Sequence, residues 1–221
     1  MKRISLLHTV RSVYQTFAEQ LEEALPGEEI KISNTLDEFL AVDANEKGSF
    51  TEENHERLRH LLQAKEMEKA DLIVVTCSTL TPAVEKLRPF IKTPLIAIDD
   101  AMAAKAVECG ERILVMATAG SAMQPEKEKL RLEAEKAGKE VVLGELLCPE
   151  AFKAIQRQEK ETHDELLRQA AKGISGFDTV VLAQASMAHL EAEIAQLSGC
   201  RVLSSPKLCM AQVKELLYSK G

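Results

Sequence analysis

The sequence predicts an α/β protein with two similar lobes, each a mostly parallel sheet flanked by helices. Short runs rich in β-branched residues alternate with longer amphipathic stretches along the chain, which is typical of parallel strands joined by helical crossovers. The 221 residues are 45% hydrophobic and 29% charged, as expected for a globular protein with an ample core. The length allows one large domain or two small lobes, and segments that recur in the second half favour two lobes.

Eight strands are predicted in chain order, at 3–8, 29–33, 71–76, 94–98, 112–117, 140–146, 178–183 and 201–203. Helices fill most of the gaps between them. The clearest helix is predicted to begin near Ser49, which stands three residues before Glu52 in a capping-box pattern and is followed by a leucine-rich apolar face. Pro82 and Pro125 are both assigned to the first turn of a helix, where proline is tolerated.

The internal repeat consists of three pairs of segments that keep their order. The pairs are 4–12 with 113–121 (offset 109), 71–80 with 178–187 (offset 107), and 94–102 with 201–210 (one-residue slip). Three ordered pairs at nearly constant spacing predict a duplicated α/β unit. We therefore expect a first lobe of residues 1–99 plus 205–221, a second lobe of residues 100–204, and an active site between the lobes.

Charge and composition argue against several partners. The net charge is −7, from 28 basic and 35 acidic residues, and only 4% of residues are aromatic. Such a chain lacks the positive charge that attracts phosphate backbones and has few aromatic rings to stack on bases, so no nucleic-acid partner is expected. No apolar run approaches the ~18 residues of a membrane span, and residues 1–7 lack the apolar length of a signal peptide. We therefore expect a cytoplasmic protein with no membrane partner.

No metal or cofactor site is evident in the sequence. The five cysteines form an odd set without any C-x-x-C spacing, which indicates neither a disulfide framework nor a zinc site. His55 and His60 are five residues apart and do not share a helical face for a metal. The glycines form neither of the common nucleotide-binding patterns. The prediction is an enzyme without metal or cofactor.

Small polar residues follow four of the predicted strands. They are His8 and Thr9; Cys77, Ser78 and Thr79; Thr118 and Ser121; and Gln184, Ala185 and Ser186. Ligands of open parallel sheets bind beyond the carboxyl ends of the strands, and unpaired N–H groups where a strand leads into a helix favour an anion. Two such strand-to-helix junctions, one from each of two facing lobes, would hold a small carboxylate. The alternative is that these hydroxyls only cap helices.

Among the five cysteines, Cys77 has the surroundings of a reactive thiol. It stands beside two hydroxyl residues at a predicted helix N-terminus, where the pKa of a thiol is expected to fall below its free value of ~8.5. A thiolate prepared in this way serves as a base or a nucleophile. Cys109, Cys148, Cys200 and Cys209 are interpreted as structural.

At these residues the chain resembles the cofactor-independent aspartate/glutamate racemase superfamily, which includes hydantoin racemases, maleate isomerases and arylmalonate decarboxylases. The resemblance rests on His8-Thr9, on Thr51, Glu53 and Arg57, on V-T-C-S-T at 75–79, on Thr118 and Ser121, and on L-A-Q-A-S-M at 182–187. It implies two pseudo-symmetric α/β lobes, with one cysteine from each lobe on opposite faces of a substrate carbon.

Gln184 departs from this pattern, because it occupies the position of the second cysteine. An amide forms hydrogen bonds but cannot shuttle a proton at neutral pH, which puts ordinary two-base racemisation in doubt. Single-cysteine relatives imply that one thiol suffices for decarboxylation or for addition to the substrate. Gln184 would then contact the substrate or fill the vacated space.

The sequence thus predicts a racemase- or isomerase-like enzyme that acts next to the carboxylate of a small acid. The catalytic positions are Cys77 and Gln184, and the substrate-binding residues are His8, Thr9, Ser78, Thr79, Thr118, Ser121, Ala185 and Ser186. The alternatives are an arylmalonate-type decarboxylase and a non-catalytic carboxylate-binding protein. The expected partners are a small carboxylate substrate and further copies of the chain, as a homodimer or higher homo-oligomer.

Three histidine assignments remain open to structural test. His8 ends a strand and is expected either to orient the substrate or donate a proton, or to be a packing residue. His189 is interpreted as an ordinary helix residue. The segment His163-Asp164-Glu165 is interpreted as part of a solvated helix surface.

Overall fold

Two four-stranded parallel sheets form the framework of the part of the chain that the structure describes, residues 1–218. The structure is a computed structural model. By contact density the chain divides into one unit of Met1–Ile98 with the chain from Cys209 onward, and a second unit of Asp99–Leu208. Residues 219–221, the end of the predicted first lobe, lie outside the described residues.

The first unit has the strand order β2-β1-β3-β4. Its strands are β1 (Lys2–His8), β2 (Ile30–Leu36), β3 (Leu72–Val75) and β4 (Leu95–Ala97), and its helices are α1 (Arg11–Ala24), α2 (Glu38–Lys47), α3 (Glu52–Met67) and α4 (Thr81–Leu87). Two short 3₁₀ helices, Ser78–Leu80 and Arg88–Phe90, precede and follow α4. All four residues of β3 are buried, as expected for a central parallel strand covered on both faces.

The second unit has the matching order β6-β5-β7-β8. Its strands are β5 (Arg112–Ala117), β6 (Val142–Leu147), β7 (Thr179–Leu182) and β8 (Arg201–Ser204). Its helices are α5 (Asp100–Cys109), α6 (Gly120–Lys136), α7 (Pro149–Gln156), α8 (Lys160–Ala171) and α9 (Glu191–Ser198), with a 3₁₀ helix at Ala185–Leu190. The last helix, α10 (Ser205–Tyr218), begins in this unit and ends in the first.

The register of the central strands repeats between the two units. Ile4 of β1 pairs with Leu72 of β3, and Ile113 of β5 pairs with Thr179 of β7. These pairs are related by the same offsets, 109 and 107, that align the two halves of the sequence. The predicted α/β fold with two lobes is therefore confirmed.

A pair of aspartates repeats as well. The Asp71 carboxylate accepts a hydrogen bond from the backbone N–H of Arg3 at 2.8 Å, and the Asp178 carboxylate accepts one from the backbone N–H of Arg112 at 2.8 Å. Each aspartate directly precedes the third strand of its unit, β3 or β7, and accepts from an N–H of the first strand, β1 or β5. This contact holds the amino ends of the two central strands together in both units.

Two details of the predicted helices were wrong. Thr51, not Ser49, caps α3: its hydroxyl accepts from the backbone N–H of Asn54, whereas Ser49 directly follows Gly48, the left-handed residue that ends α2. Pro125 lies inside α6, which already begins at Gly120, and not in its first turn. Pro82 is in the first turn of α4, as predicted. No helix in the described part of the chain has the length and apolar composition to cross a membrane.

Candidate active site

Cys77 lies just beyond the carboxyl end of β3, in the centre of the first sheet. Its backbone is extended, with φ −129° and ψ 111°, and its carbonyl accepts a hydrogen bond from the N–H of Leu80 at 3.0 Å. The chain therefore turns directly from β3 into a 3₁₀ helix at Ser78 and not into an α-helix. This turn places the backbone N–H groups of the next residues around the thiol.

The electrostatics of Cys77 differ from the sequence prediction. Burial raises the pKa of the thiol, since only 9% of the residue is exposed. The Thr9 hydroxyl, the N–H groups of Thr79 and Leu80 and the Thr79 hydroxyl favour the thiolate but do not offset burial. The predicted lowering of this pKa was therefore wrong, because a three-residue 3₁₀ helix contributes less than the lost hydration costs.

Thr9 supplies an open hydroxyl next to this thiol. The residue directly follows β1 and is only 4% exposed. Its hydroxyl is close enough to favour the Cys77 thiolate, yet it makes no hydrogen bond of normal geometry within residues 1–218. Buried polar groups are nearly always hydrogen-bonded, so an unpartnered one beside a thiol is suited to receive a ligand oxygen.

His8 lies inside the first unit. It is fully buried, and its ring packs edge-on against Tyr14 and Phe17. Its Nδ1 is hydrogen-bonded to the Thr76 hydroxyl at 2.7 Å and its Nε2 to the Asn34 side chain at 2.9 Å. Burial lowers the pKa of His8, against the opposing hydrogen bond to Asn34. With both nitrogens engaged, a neutral His8 ties the ends of β1, β2 and β3 together.

Gln184 occupies the equivalent position in the second unit. It follows β7 in extended backbone, with φ −135° and ψ 133°, and its carbonyl accepts from the N–H of Met187 at 3.0 Å. Its side-chain Oε1 accepts hydrogen bonds from the N–H and hydroxyl of Thr118, at 2.6 and 3.1 Å, and from the N–H of Ala119 at 3.4 Å. The amide oxygen thus uses the donors that follow β5.

The two units therefore differ at matching positions. In the first, a thiol stands beside the unpartnered hydroxyl of Thr9; in the second, the corresponding hydroxyl of Thr118 is bonded to Gln184. The Nε2 of Gln184 makes no hydrogen bond to any described residue, and the side chain is half-buried. The amide nitrogen of Gln184 therefore remains available as a donor, while its oxygen accepts from the N–H groups that follow β5.

The other predicted substrate-binding residues have varied surroundings. Ser78 and Thr79 are half-buried in the 3₁₀ helix after Cys77, and Ala185 is half-buried after Gln184. Ser121, in the first turn of α6, and Ser186 are exposed. The structure thus brings Thr9, Thr79 and Cys77 together in one unit and Thr118 and Gln184 together in the other. The substrate-binding roles stay predictions.

A further group of polar side chains, in the second unit, was not predicted from the sequence. His163 and Asp164 are buried, so the expectation of a solvated surface at this segment was wrong. The spacing of His163, Leu167 and Ala171, four residues apart on one helix, is a signal that places His163 on the apolar face of α8. Asp164 also reaches His189, in the 3₁₀ helix that follows Gln184.

The remaining cysteines have no comparable surroundings. Cys209 is buried, and Cys200 donates its S–H to the Phe177 carbonyl at 3.2 Å. Cys148 is half-buried, and burial raises the pKa of its thiol. Cys109 accepts a hydrogen bond from Arg201 at 2.7 Å. Over residues 1–218, no group of three His, Cys, Asp or Glu side chains is arranged to hold a metal ion.

Several solved structures with the same fold are described as racemases. The chain superposes on a glutamate racemase isoform from Bacillus anthracis with TM-score 0.69 and 19% identity, covering 100% of this chain and 83% of that one. A putative Asp/Glu racemase from Yersinia pestis gives 0.71 and 19%, covering 98% and 100%. An allantoin racemase from Klebsiella pneumoniae gives 0.64 and 15%, covering 98% and 88%. At these identities the likeness establishes the fold.

The family comparison goes further than the fold. No curated protein has a sequence that matches the chain significantly. The profile of the Asp/Glu/Hydantoin racemase family, in contrast, matches residues 7–213, which include all of β2 to β8 and both strand-end positions. The chain therefore belongs to the Asp/Glu/Hydantoin racemase family.

Proposed function

We propose that the protein is an enzyme that activates the carbon next to the carboxylate of a small acid, through the single thiol of Cys77 and without metal or cofactor. The observation that carries the proposal is the environment of this thiol. Hydroxyl and backbone N–H donors from two strand ends favour the thiolate, and the unpartnered Thr9 hydroxyl lies beside it. Family membership supplies the reaction class, since members of the family are described as racemases.

The same donors suit the charge that develops during such a reaction. Removal of a proton or of carbon dioxide next to a carboxylate leaves an enediolate-like intermediate with negative oxygens. Fixed N–H and O–H groups stabilise that charge without reorganising. In the proposed mechanism Thr9 and Thr79, the two hydroxyl residues beside Cys77, contact the substrate carboxylate. Ser78, which directly follows Cys77, is a further predicted contact in this unit.

The raised pKa of Cys77 indicates how the thiol acts. Burial raises the pKa of the thiol and so favours the protonated form, which suits a group that gives a proton to the intermediate. The electron pair of the S–H bond stays on sulfur, and the proton forms the new C–H bond. Decarboxylation is the second candidate reaction, because a carbon that has lost CO₂ needs one proton on one face, which a single thiol can give.

The experiment follows the fate of the α-hydrogen. The wild type is incubated in D₂O with aspartate, glutamate, a 5-substituted hydantoin or phenylmalonate, and α-proton loss and CO₂ release are measured by NMR and gas analysis. Turnover of one of these acids by the wild type, with loss of at least ~10²-fold in Cys77→Ala, is expected for a catalytic acid or base. Cys109→Ala is the matched control and should retain the rate.

Two outcomes would contradict the proposal. Binding of these acids, seen as a thermal shift, with no exchange and no CO₂ would make the chain a carboxylate-binding protein. Turnover that survives Cys77→Ala would assign the chemistry to another residue.

A further inference from the structure

Three residues form a row across the carboxyl ends of the first sheet. Leu7 of β1 pairs with Thr35 of β2 and with Val75 of β3. Side chains in a sheet alternate between its two faces, so the residues two positions further along lie side by side on the same face. Leu7 and Val75 pack in one core cluster with Cys77, which agrees with this alternation. The row consists of Asp37 after β2, Thr9 after β1 and Cys77 after β3.

Contacts between neighbours keep this row together beyond the strands. The backbone N–H of Asp37 donates to the carbonyl of His8 at 2.8 Å, and Thr9 is the next residue after His8. The Thr9 hydroxyl is in turn close enough to Cys77 to favour its thiolate. Neighbouring strands are about 4.8 Å apart, so the backbone of Asp37 lies about 10 Å from that of Cys77.

Arg57, in the second turn of α3, reaches the far end of the row. Its Nε donates to Oδ2 of Asp37 at 2.7 Å, and its guanidinium carbon lies 5.0 Å from the ring centroid of Phe39. The next residue, Leu58, is fully buried in the same core cluster as Cys77. The start of α3 therefore covers the face of the sheet that carries the row, and two contacts fix the plane of the guanidinium.

The outer edge of this guanidinium is open. Neither Nη1 nor Nη2 of Arg57 makes a hydrogen bond within residues 1–218, and half of the side chain is exposed. Arg59, on the same helix, differs because its three nitrogens donate to Glu56 and Gln63. A guanidinium edge with two parallel N–H groups matches the geometry of a carboxylate. Arg57 thus presents a held pair of donors that its own unit does not use.

One acidic side chain on this face of α3 has partners of its own. Glu53 stands four residues before Arg57, which places the two on the same side of the helix. The backbone N–H of Glu53 and the hydroxyl of Thr51 hydrogen-bond its carboxylate and lower its pKa. Glu53 is therefore engaged at the N-terminus of α3, and it leaves the outer edge of the guanidinium to a ligand.

We propose that Arg57 binds a second carboxylate of the substrate, so that the enzyme selects acids with a carboxylate at each end of a short chain over acids with one. The inference rests on the proposed function. The carboxylate next to the reacting carbon contacts Thr9 and Thr79 beside Cys77, and the distal carboxylate accepts from Nη1 and Nη2 of Arg57. A row about 10 Å wide suits a four- or five-carbon acid that is hydrogen-bonded at both ends.

The test compares acids with their neutral isosteres. Each enantiomer of glutamate, glutamine, aspartate and asparagine is incubated in D₂O, and kcat and KM for α-proton exchange are measured. The wild type is expected to prefer the acid within at least one pair. Arg57→Gln should reduce that preference by about 10–100-fold, mainly through KM of the acid, as expected for loss of hydrogen bonds to a charged group. Arg57→Lys keeps the charge without the fork and should fall between, and Arg59→Gln is the matched control.

A second variant separates ligand binding from a structural ion pair. Asp37→Asn keeps an acceptor for Nε of Arg57 and removes a negative charge near the proposed carboxylate. The preference for the acid should therefore persist in Asp37→Asn. If Arg57 served only its ion pair with Asp37, both Asp37→Asn and Arg57→Gln would slow the exchange of acid and amide alike, and the proposed role would be wrong.

The remaining outcomes distinguish this inference from the proposed function. A wild type that exchanges each amide as well as its acid, or a preference that stays within twofold of wild type in Arg57→Gln, would overturn the role of Arg57 and leave the proposed function intact. Turnover of a hydantoin or phenylmalonate with no exchange of these four compounds would do the same. An absence of turnover with every one of these compounds would overturn both.

Discussion

The side chain of Gln184 closes the end of β5, because its Oε1 accepts the backbone N–H of Thr118 at 2.6 Å. The matching position in the first unit is the thiol of Cys77, and the matching threonine, Thr9, has an unpartnered hydroxyl. In the duplicated fold, the threonine hydroxyl that follows β1 is thus unpartnered beside a thiol, whereas the one that follows β5 is hydrogen-bonded to an amide. We propose that this asymmetry gives the first unit the catalytic thiol.

Replacing Gln184 with cysteine tests the consequence of that filled strand end. The shorter side chain cannot reach the N–H groups of Thr118 and Ala119, so Gln184→Cys should lower the free energy of unfolding by about 1 kcal/mol. Its activity should stay at or below that of the wild type, because the proposed reaction uses only the thiol of Cys77. Urea denaturation and α-proton exchange measure the two effects. Racemisation by the variant but not by the wild type would instead indicate a racemase that has lost its second thiol.

The two strand-end threonines should respond differently to removal of the hydroxyl. Thr9→Val removes a buried hydroxyl without a partner, so the unfolding free energy should hold or rise while the Cys77-dependent rate falls about 10-fold or more. Thr118→Val removes the 3.1 Å hydrogen bond to Gln184 and should destabilise the fold by about 0.5–1.5 kcal/mol. Thermal melts and rates of both variants make the comparison. Equal destabilisation by the two changes would refute the difference between the strand ends.

The raised pKa of Cys77 predicts its reaction with alkylating reagents. Because burial raises this pKa, less thiolate is present at neutral pH than in a free thiol, and the alkylation rate should increase with pH through a midpoint above the ordinary value. Thr9→Val removes a group that favours the thiolate and should move the midpoint higher. Mass-spectrometric mapping of iodoacetamide adducts across a pH series gives the rate at Cys77, with Cys109 as an internal reference. A midpoint below that of a free thiol would contradict the burial effect.

The lowered pKa of His8 predicts that the free energy of unfolding decreases in acid. Burial lowers its pKa in the folded state, so the unfolded chain binds the proton more readily. The contribution of neutral His8 is present above the unfolded pKa of ~6.5 and is lost as the pH falls from there through the lower folded value. Chemical denaturation between about pH 7 and pH 4 should show this decline, and His8→Asn should show a shallower one. Equal slopes for the two proteins would exclude His8 as the cause.

The sequence predicted the strands and the two-lobed fold well for two reasons. The β-branched runs that indicate strands are local features, and the internal repeat indicates the duplicated unit. All eight strands were located to within three residues at each end, since their β-branched runs are bounded by polar segments. The cap of α3 was misplaced because Ser49 and Thr51 both offer a hydroxyl, and only the tertiary path after Gly48 decides between them. The offset of 107 correctly related Cys77 to Gln184 as strand-end positions.

The chemistry of the site depended on contacts that the sequence does not encode locally. The helix N-terminus suggested a lowered pKa for Cys77, but the degree of burial follows from packing of the whole unit and reverses the sign. The link from Asp164 to His189 joins residues 25 positions apart on two separate elements. Only the fold of the second unit brings them together.

The central claim is that the Cys77 thiol acts on the carbon next to a substrate carboxylate. The distance between Cys77 Sγ and that carbon, in a crystal structure with one of the turned-over acids bound, tests it most directly. We predict about 3–3.5 Å, the separation of reacting atoms, with the carboxylate accepting hydrogen bonds from Thr9 and Thr79. An acid bound with its carboxylate away from Thr9, and its α-carbon beyond the reach of Cys77, would contradict the account.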